Sequence, residues 1–540
     1  MNSQRKSYIK KSVIPGLALS AATGVATGGI VVLYRIAAYA AIESSEHIYE
    51  WLNKNLVFVV PVILLLAGLS IIAARLIKEL PDICGGGIPT SIGVLRGVLR
   101  TDWLKSLIGV IFASLTTFIT GVPLGNEGPC VQIGTAIGDG AVKTLAKKQR
   151  AWDRYIMTGG ACAGFSAASG APICGVLFAL EEAHHRLSPM ILLFSFVSVA
   201  FSYATLITLA PIFNISPLLF PDVGKMLFKL DLNDMWIPLL ISIVIGLFAV
   251  IFLKFYVFVD KLIEKRLSHV SQAAKEFVIF VVTLIFGLIS FDFISTGHHL
   301  TLSVIDREFP LLLLAAFLLF RCIVSLSASR FGMTGGLFLP IVSIGALVSA
   351  ILAEILIATG LLTEKFFPLI VVFGIVACIS GMMKIPLCAI VFAVEALGCG
   401  ENILPIIILG AVPYLITEIF KVESINDSIL EDYIHELNGS TSPNVIDCYV
   451  KVMSGSFVVG KQIRDILWPS GLSVLAIKEA ELSKAIINEH GDKAMNSEDE
   501  LHIRFAYRNR NDAYTELIAL IGAQEIAAMD AFELRSPHVQ

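Results

Sequence analysis

The chain has 540 residues, of which 56% are hydrophobic and only 16% are charged, and its mean hydropathy is +0.80. Because soluble domains carry about 25% charged residues, most of this chain must be dissolved in lipid. The formal net charge of −4 is small and indicates no nucleic-acid partner. We therefore predict a multi-pass membrane protein in contact with membrane lipid.

The charged residues are distributed unevenly, since the last 120 positions hold 30 of the 84. This distribution predicts a membrane body at 13–432, preceded by a segment at 1–12 and followed by a linker at 433–445. Residues 446–453 and 501–507 alternate like strands and 511–528 is typical of an amphipathic helix, which predicts a small soluble α+β domain at 446–528. A tail at 529–540 completes the chain.

Four basic residues, Arg5, Lys6, Lys10 and Lys11, precede an apolar run at 13–41. This run is too long for a secretory signal peptide, and many more apolar segments follow it. We predict a retained first helix whose basic flank is cytoplasmic, by the positive-inside rule.

Apolar stretches long enough to span lipid, roughly 20 residues, recur along the membrane body. They lie at 13–41, 56–77, 189–212, 236–262, 275–296, 310–328 and 402–420. Between them are pieces interrupted by glycine and proline, at 84–98, 104–124, 127–138, 155–168, 171–182, 336–357, 366–381 and 385–397. We expect these pieces to be broken helices, which in transporters surround the bound ion near the middle of the membrane.

Two blocks of sequence recur in the same order in both halves of the body. Residues 172–181 (PICGVLFALE) match 386–395 (PLCAIVFAVE), and the glycine and proline of 125–129 match those of 336–340 at nearly the same spacing. The halves, about 13–212 and 236–421, therefore read as a repeat. If each half has an odd number of spans, the two repeats are inverted and meet at a central site.

Three segments place glycines before a proline and an apolar helix-like stretch, at 85–89, 125–129 and 335–340. Proline suits the first turn of a helix, and glycines allow backbone N–H groups to point inward. A helix N-terminus carries about half a positive charge and free N–H donors, which favour an anion. We predict that three such ends converge on a dehydrated anion; the alternative is that these segments only kink helices or allow close packing.

These segments resemble the GSGIP, G(K/R)EGP and GxFxP signatures of the CLC family of chloride channels and chloride/proton antiporters. The resemblance covers about 13–432 and includes the stretch at 170–182. It implies an all-α, inverted-repeat membrane body of broken and tilted helices and a homodimer with one anion pathway per subunit. It also implies a bacterial inner-membrane protein of the prokaryotic type, with both termini cytoplasmic. The anion-binding residues that it indicates are Gly86, Gly87, Ile88, Gly125, Asn126, Gly128, Gly336, Leu337, Phe338 and Asn426.

Glu127 is the first candidate for gating. A carboxylate among helix N-termini competes with anions for the same positive field, so it blocks the path when ionised and clears it when protonated. By resemblance Glu127 is the external gating glutamate. The alternative role is to cap a helix end.

Glu182 is the second candidate. By resemblance it occupies the internal proton-transfer position, which is acidic in many antiporters and apolar in the known channels. The alternative is a solvated helix end beside His184, His185 and Arg186. The spacing Glu181-x-x-His184 is also found in diiron helices. No second Glu-x-x-His occurs in the other half, so we predict no metal site.

Three positions depart from the family pattern. Gly86 replaces the usual serine, Asn126 replaces the basic residue of the second signature, and Asn426 falls in the best register for the pore tyrosine. An asparagine at the position of Asn126 also occurs in the fluoride-exporting branch, which generally lacks an acid at the position of Glu182. We expect backbone N–H groups of Gly336, Leu337 and Phe338 to carry more of the coordination.

The soluble domain resembles the C-terminal RCK (TrkA-C) module of potassium-transport regulators, through Gly455, Gly460, Lys461, Ile466 and Pro469. Such modules bind small ligands and dimerise, so an unidentified small-molecule ligand is expected here. The alternative is a passive domain for dimerisation or solubility.

The sequence predicts a transporter of chloride and protons, without enzyme activity and without a cofactor. Chloride/proton antiport is the leading hypothesis, because it uses Glu127 and Glu182 together. A passive gated chloride channel and a fluoride/proton exchanger are the alternatives within the family. A cation-coupled carrier would line its site with carboxylates and carbonyl ends, and an enzyme would need a nucleophile or metal cluster in the membrane.

Overall fold

A computed structural model describes residues 13–145, 150–186, 188–438, 444–478, 485–487, 491–507 and 510–522. The predicted segment at 1–12, the tail at 529–540 and the last part of the predicted domain at 446–528 lie outside these residues.

The described residues are mainly helical. The first half contains α1 (Ile14–Lys54), α2 (Val59–Glu79), α3 (Ile88–Arg96), α4 (Trp103–Ile119), α5 (Glu127–Leu145), α6 (Asp153–Ser169), α7 (Pro172–Phe178) and α8 (Pro189–Leu209). The second half contains α9 (Trp236–Leu267), α10 (Gln272–Ile289), α11 (His298–Ile305), α12 (Leu311–Arg330), α13 (Phe338–Ala358), α14 (Phe367–Cys378), α15 (Pro386–Glu395) and α16 (Ile403–Ile419). Helix α17 (Ile425–Asn438) extends into the predicted linker, and α18 (Arg510–Ile521) belongs to the C-terminal domain.

Within the described ranges, nine helical segments are long and apolar enough to cross a membrane. They are Ile14–Lys54, Leu56–Glu79, Pro189–Leu209, Leu232–Leu267, Gln272–Ile289, Leu311–Arg330, Phe338–Ala358, Glu364–Met383 and Gly400–Ile419. All seven predicted spans are among them. The other two were predicted as shorter pieces, at 336–357 and 366–381, and that prediction is wrong. Helix α13 runs without a break, and a 3-10 turn before α14 and a π-helical turn after it extend that segment to Glu364–Met383.

Helix α5 meets α6 and α14 meets α13 across glycines. A Cβ atom on Gly345 would lie only 2.7 Å from Cβ of Cys378, and one on Gly134 would overlap the carbonyl of Gly160. Small residues let two helix backbones approach closely in a membrane, and this close packing stabilises the helices in which the glycines lie.

The two halves make reciprocal hydrogen bonds. Glu181 accepts backbone N–H groups of Leu387 and Cys388 at 2.9 and 2.7 Å, at the start of α15. Its repeat mate Glu395 accepts those of Ile173 and Cys174 at 3.0 and 2.9 Å, at the start of α7. Each carboxylate therefore caps a helix of the opposite half, which is the arrangement that an approximate two-fold axis between the repeats produces.

The C-terminal domain contains a four-stranded antiparallel sheet. Its strands are β1 (Asn444–Lys451), β2 (Leu472–Lys478), β3 (Ala485–Ile487) and β4 (Glu500–Tyr507), in the order β1–β4–β2–β3. Strands β1 and β4 were predicted, because their buried and exposed residues alternate. Strand β2 was not predicted: its apolar run hides the alternation, and a register shift between Val474 and Ala476 interrupts its pairing with β4.

The core of this domain is continuous with the membrane body. The ring of Trp152, just before α6, packs edge-on against Phe457 at 4.6 Å and stacks on Phe194 of α8 at 4.7 Å between centroids. Tyr155 Oη donates to the carbonyl of Asp465 and accepts the N–H of Leu467, both at 3.0 Å. The domain is therefore docked by buried contacts.

The ammonium group of Lys461 is buried at this junction, while the residue as a whole is half-buried. Its ammonium group lies 2.9 Å from the ring centroid of Phe457 and 4.7 Å from that of Trp152. Burial lowers the pKa of Lys461 to about 6, although the nearby Asp465 opposes this shift. The two ring faces favour the charged form and offset part of the cost of burial.

We expect replacement of the reciprocal caps to destabilise the membrane body. Glu181→Gln and Glu395→Gln each lose a charge-assisted pair of bonds at a helix N-terminus, for a cost of about 1–2 kcal/mol. Thermal unfolding in detergent should show similar losses for both variants, because their contacts are equivalent. The exposed Glu401→Gln is the control, and a loss for only one of the two caps would contradict the symmetry argument.

We expect the pH dependence of unfolding to depend on Lys461. Between about pH 6 and the unfolded pKa of about 10.4, the unfolded chain binds more protons at this lysine, so its contribution makes stability rise with pH over that range. Lys461→Met should remove this slope and raise stability by on the order of 3 kcal/mol near pH 7. Denaturant unfolding followed by tryptophan fluorescence measures both, with exposed Lys478→Met as control; an unchanged slope in Lys461→Met would refute the assignment.

Candidate functional site

The three glycine segments lie at the starts of α3, α5 and α13 and meet one another. A Cβ atom on Gly87 or on Gly128 would overlap backbone of the other segment, and one on Gly336 would lie 2.8 Å from the N atom of Gly128. Such approach is possible only without side chains. The fold thus brings together the three segments that the sequence singled out.

Two of the segments are joined by backbone hydrogen bonds. Gly125 and Gly336 form an isolated antiparallel bridge, in which each N–H donates to the other's carbonyl at 2.7 Å. Because the two glycines are repeat mates, this bridge lies where the halves meet. It sets the spacing between the N-termini of α5 and α13.

The N-termini at this junction present backbone donors that their own helices do not use. The first helical hydrogen bonds are donated by Ser91 in α3, Cys130 in α5 and Ile341 in α13. The N–H groups of the preceding residues of each first turn have no partner within their own helix. These groups belong to most of the predicted anion-binding residues, including Ile88, Gly128 and Phe338, and they form a concentration of positive partial charge.

The side chain of Phe338 fixes one of these helix starts. Its ring packs edge-on against Phe165 of α6 and Phe392 of α15, at 5.3 and 5.2 Å between centroids. Leu337 and Asn126 are also buried, at 6% and 4% exposure. The start of α13 is therefore held between helices of both halves.

Glu127 lies directly over the junction. It is fully buried, and its Oε2 is 2.8 Å from the position that a Cβ atom on Gly125 would take. Neither carboxylate oxygen accepts a hydrogen bond from any other described residue. A buried carboxylate without side-chain donors is costly, and the positive helix ends beneath it are the partial charges that offset this cost.

Glu182 lies in a π-helical turn, Ala179–Ala183, that follows α7. Its side chain is 2% exposed, and Oε1 accepts a hydrogen bond of 2.7 Å from Nδ2 of Asn426. Asn426, predicted to bind the anion, is thus in direct contact with the second candidate acid. One turn later, Ile429 packs on Gly85, since its Cγ2 lies 3.7 Å from a Cβ position on that glycine.

Sequence reasoning did not single out Arg96, at the end of α3. It donates to the backbone carbonyls of Glu182 and Ala183 at 3.0 and 2.9 Å and to Oδ1 of Asp427 at 2.8 Å. The guanidinium therefore joins α3, the π-helical turn and α17. An isolated arginine after an apolar helix carries no sequence signal for this role, because its three partners are distant in the chain.

The neighbouring histidines are occupied by other contacts. His184 Nε2 lies 2.8 Å from Oγ1 of Thr158, and His185 Nε2 lies 3.6 Å from Oδ2 of Asp427. Across the part of the chain that the structure describes, no group of three His, Cys, Asp or Glu side chains could hold a metal ion.

A cavity of about 730 Å³ in the membrane body extends to Cys84, the residue before the first glycine segment. It is lined by Cys84 and Gly332, which flank the glycine segments, and by the ion pair of Arg330 with Asp260. Polar and charged walls of both signs suit a water-filled approach for ions.

Comparison with known proteins agrees with this arrangement. The sequence profile of the family described as voltage gated chloride channel matches residues 68–418. Among solved structures, the fold is similar to that of a slow cyanobacterial Cl⁻/H⁺ antiporter, with a TM-score of 0.70 and 22% identity over 78% of this chain and 99% of that chain. It is also similar to a eukaryotic CLC transporter, with a TM-score of 0.63 and 16% identity over 78% and 74% of the two chains.

A CLC-type fluoride/proton antiporter has a TM-score of 0.60 and 17% identity, over 76% of this chain and 96% of that chain. At these identities the structures show a shared fold and do not distinguish between the transported ions. The family profile, in contrast, covers more than half of the sequence. The chain therefore belongs to the voltage gated chloride channel (CLC) family, a family of multi-pass membrane proteins that transport anions and are not enzymes.

Proposed function

We propose that this protein exchanges chloride-like anions for protons across the membrane. The observation that carries the proposal is the placement of two buried carboxylates, Glu127 over the junction of helix N-termini and Glu182 beside α17. Ionisable groups at such depth are rare unless they carry ions or protons. Similarity to the cyanobacterial Cl⁻/H⁺ antiporter supports the same function.

Glu127 acts as the gate. When ionised, its carboxylate occupies the positive field at Gly125 and Gly336 and excludes an anion. When protonated, the side chain loses its attraction to these helix ends and moves away, so an anion takes its place. A proton removes the ionised state of Glu127, and only that state excludes an anion. Proton binding and anion binding therefore favour each other, which is the requirement for coupling their movements.

The remaining residues of the first turns hold the anion. Backbone N–H groups of Gly86, Gly87 and Ile88, of Asn126 and Gly128, and of Leu337 and Phe338 supply partial charges without a full cation. Binding by partial charges is weak enough for the anion to leave again. Glu182 takes up or releases the proton at the other end of its route.

We further propose that Glu182 faces the cytoplasm, with both termini and the C-terminal domain on that side of a bacterial inner membrane. The protein then works as a homodimer with one pathway in each membrane body at 13–432. The C-terminal domain is proposed to be an RCK-C-like module that binds a small ligand.

Fluoride/proton exchange is the second candidate. It is favoured by Asn126 and by the absence of a hydroxyl at Gly86, and the fold is also similar to that of a fluoride/proton antiporter. Glu182 argues for chloride, since the resemblance places an acid there in chloride/proton antiporters and generally not in the fluoride branch.

Reconstituted protein should drive protons uphill when a chloride gradient is imposed across liposomes. Glu127→Gln should reduce proton movement to the background level, because a neutral amide cannot carry the proton. Glu182→Gln should also abolish proton movement but leave chloride flux, because Glu182 does not occupy the anion path. Recording external chloride and pH together measures both fluxes.

Glu181→Gln is the matched control for Glu182→Gln, since the adjacent acid caps α15 and is not proposed to carry protons. Chloride flux without proton movement in the parent protein would refute antiport and indicate a passive channel. Fluoride flux without chloride flux would establish the second candidate.

Gly86→Ser should impair the protein, although it restores the residue that is usual in the family. Gly86 has φ of +81°, and a Cβ atom there would lie 2.9 Å from the carbonyl oxygen of Gly335. We expect a loss of about 1–3 kcal/mol in stability and slower transport. Gly29→Ser in α1, where nothing lies within 4 Å of the added Cβ, is the control; faster chloride transport by Gly86→Ser would refute this prediction.

A further inference from the structure

Asn426 lies on α17, a helix that contacts both the second acid and the first glycine segment. It is 3% exposed, and its Nδ2 donates to Glu182. Ile429, three residues on and on the same face of the helix, packs on Gly85. One face of α17 therefore touches both the proposed proton acceptor and the segment that precedes an anion-binding helix.

Neither local element requires Asn426 for its own stability. The start of α17 is capped by Ser424, whose Oγ accepts the N–H of Asp427 at 3.1 Å. The π-helical turn that carries Glu182 is held by Arg96 through the carbonyls of Glu182 and Ala183. The buried amide is thus directed at the carboxyl group itself, and within the described residues it is that group's hydrogen-bond donor.

The strength of this bond depends on the charge of Glu182. A hydrogen bond from an amide to an ionised carboxylate is about twice as strong as one to a neutral acceptor. Protonation of Glu182 therefore weakens the hold on Nδ2 and releases an N–H donor beside the anion path. The total charge of the site is −1 in both states. It is carried by the ionised carboxylate when no anion is bound, and by the anion when Glu182 is a neutral carboxylic acid.

We propose that Asn426 is a positioning residue that couples proton binding at Glu182 to anion binding. This inference rests on the role proposed above for Glu182. The amide of Asn426 donates to the carboxylate when Glu182 is ionised and to an anion at the first glycine segment when Glu182 is protonated. The proton stays on the Glu182 carboxyl group, and no covalent bond other than this O–H is made. By linkage, proton binding and anion binding at this end then favour each other.

Other charged groups also face Glu182 and act on its protonation. They are Arg96 from α3, Asp427 from α17 and Glu181 from its own segment, while His184 contacts Thr158 and His185 contacts Arg96 and Asp427. All of them are retained when only Asn426 is changed. The test therefore compares variants that differ at this one amide.

The experiment measures chloride binding by calorimetry in detergent, with the full chain carrying Glu127→Gln so that the gate contributes no pH dependence. Between about pH 9 and about pH 3.5, which lie well on either side of the ordinary glutamate pKa of about 4.3, we expect chloride to bind about fivefold more tightly at acid pH. Adding Asn426→Leu should remove this gain and leave the weak affinity at both pH values. Adding Glu182→Gln should give tight binding at both.

A gain in affinity at acid pH that survives in Asn426→Leu overturns the inference. If this variant does not fold, as judged by size-exclusion chromatography, the smaller Asn426→Ala, which also lacks a side-chain donor, takes its place with the same expectation. Chloride binding does not require proton movement, so the test decides the role of Asn426 even if the protein proves to be a passive channel. Failure of antiport is detected separately, by the liposome assay.

Discussion

The structure depends on the contact between Gly125 and Gly336, where backbone of one half bonds backbone of the other at membrane depth. Exposed backbone polar groups are costly in lipid, so irregular segments must be enclosed by protein or face water. Here the irregular segments enclose one another. Their glycines approach so closely that one added Cβ atom would push the backbones apart. The positive ends of three helices thereby share one small volume.

This geometry explains why a carboxylate occurs where it does. Glu127 is buried without a hydrogen-bond donor among the described side chains, and its counter-charge comes from the helix ends together with the buried guanidinium of Arg35. An anion would satisfy the same donors. The reciprocal caps at Glu181 and Glu395 keep the two halves in register, so that the shared volume is not lost by sliding of one half against the other.

Helix α3 connects this volume to the C-terminal domain. Its first residues belong to the first glycine segment, while Arg96 at its end holds the turn of Glu182. Arg154 donates twice to the carbonyl of Leu95 and once to that of Trp468 in the C-terminal domain. A displacement of the docked domain would therefore act on α3 directly, and the ligand proposed for that domain would have a physical route to the proposed anion site.

The sequence by itself determined the membrane class, the repeat and the three glycine segments, and it singled out Glu127 as a candidate, because composition, spacing and helix-start chemistry are local properties. It also indicated strands β1 and β4, whose alternation is local. Only the tertiary structure decided that Glu181 and Glu395 are caps for opposite halves, that Arg96 joins three elements, and that Asn426 faces Glu182. Each of these is a contact between residues far apart in the chain, and a side chain's partner across such a separation is set by how the helices pack.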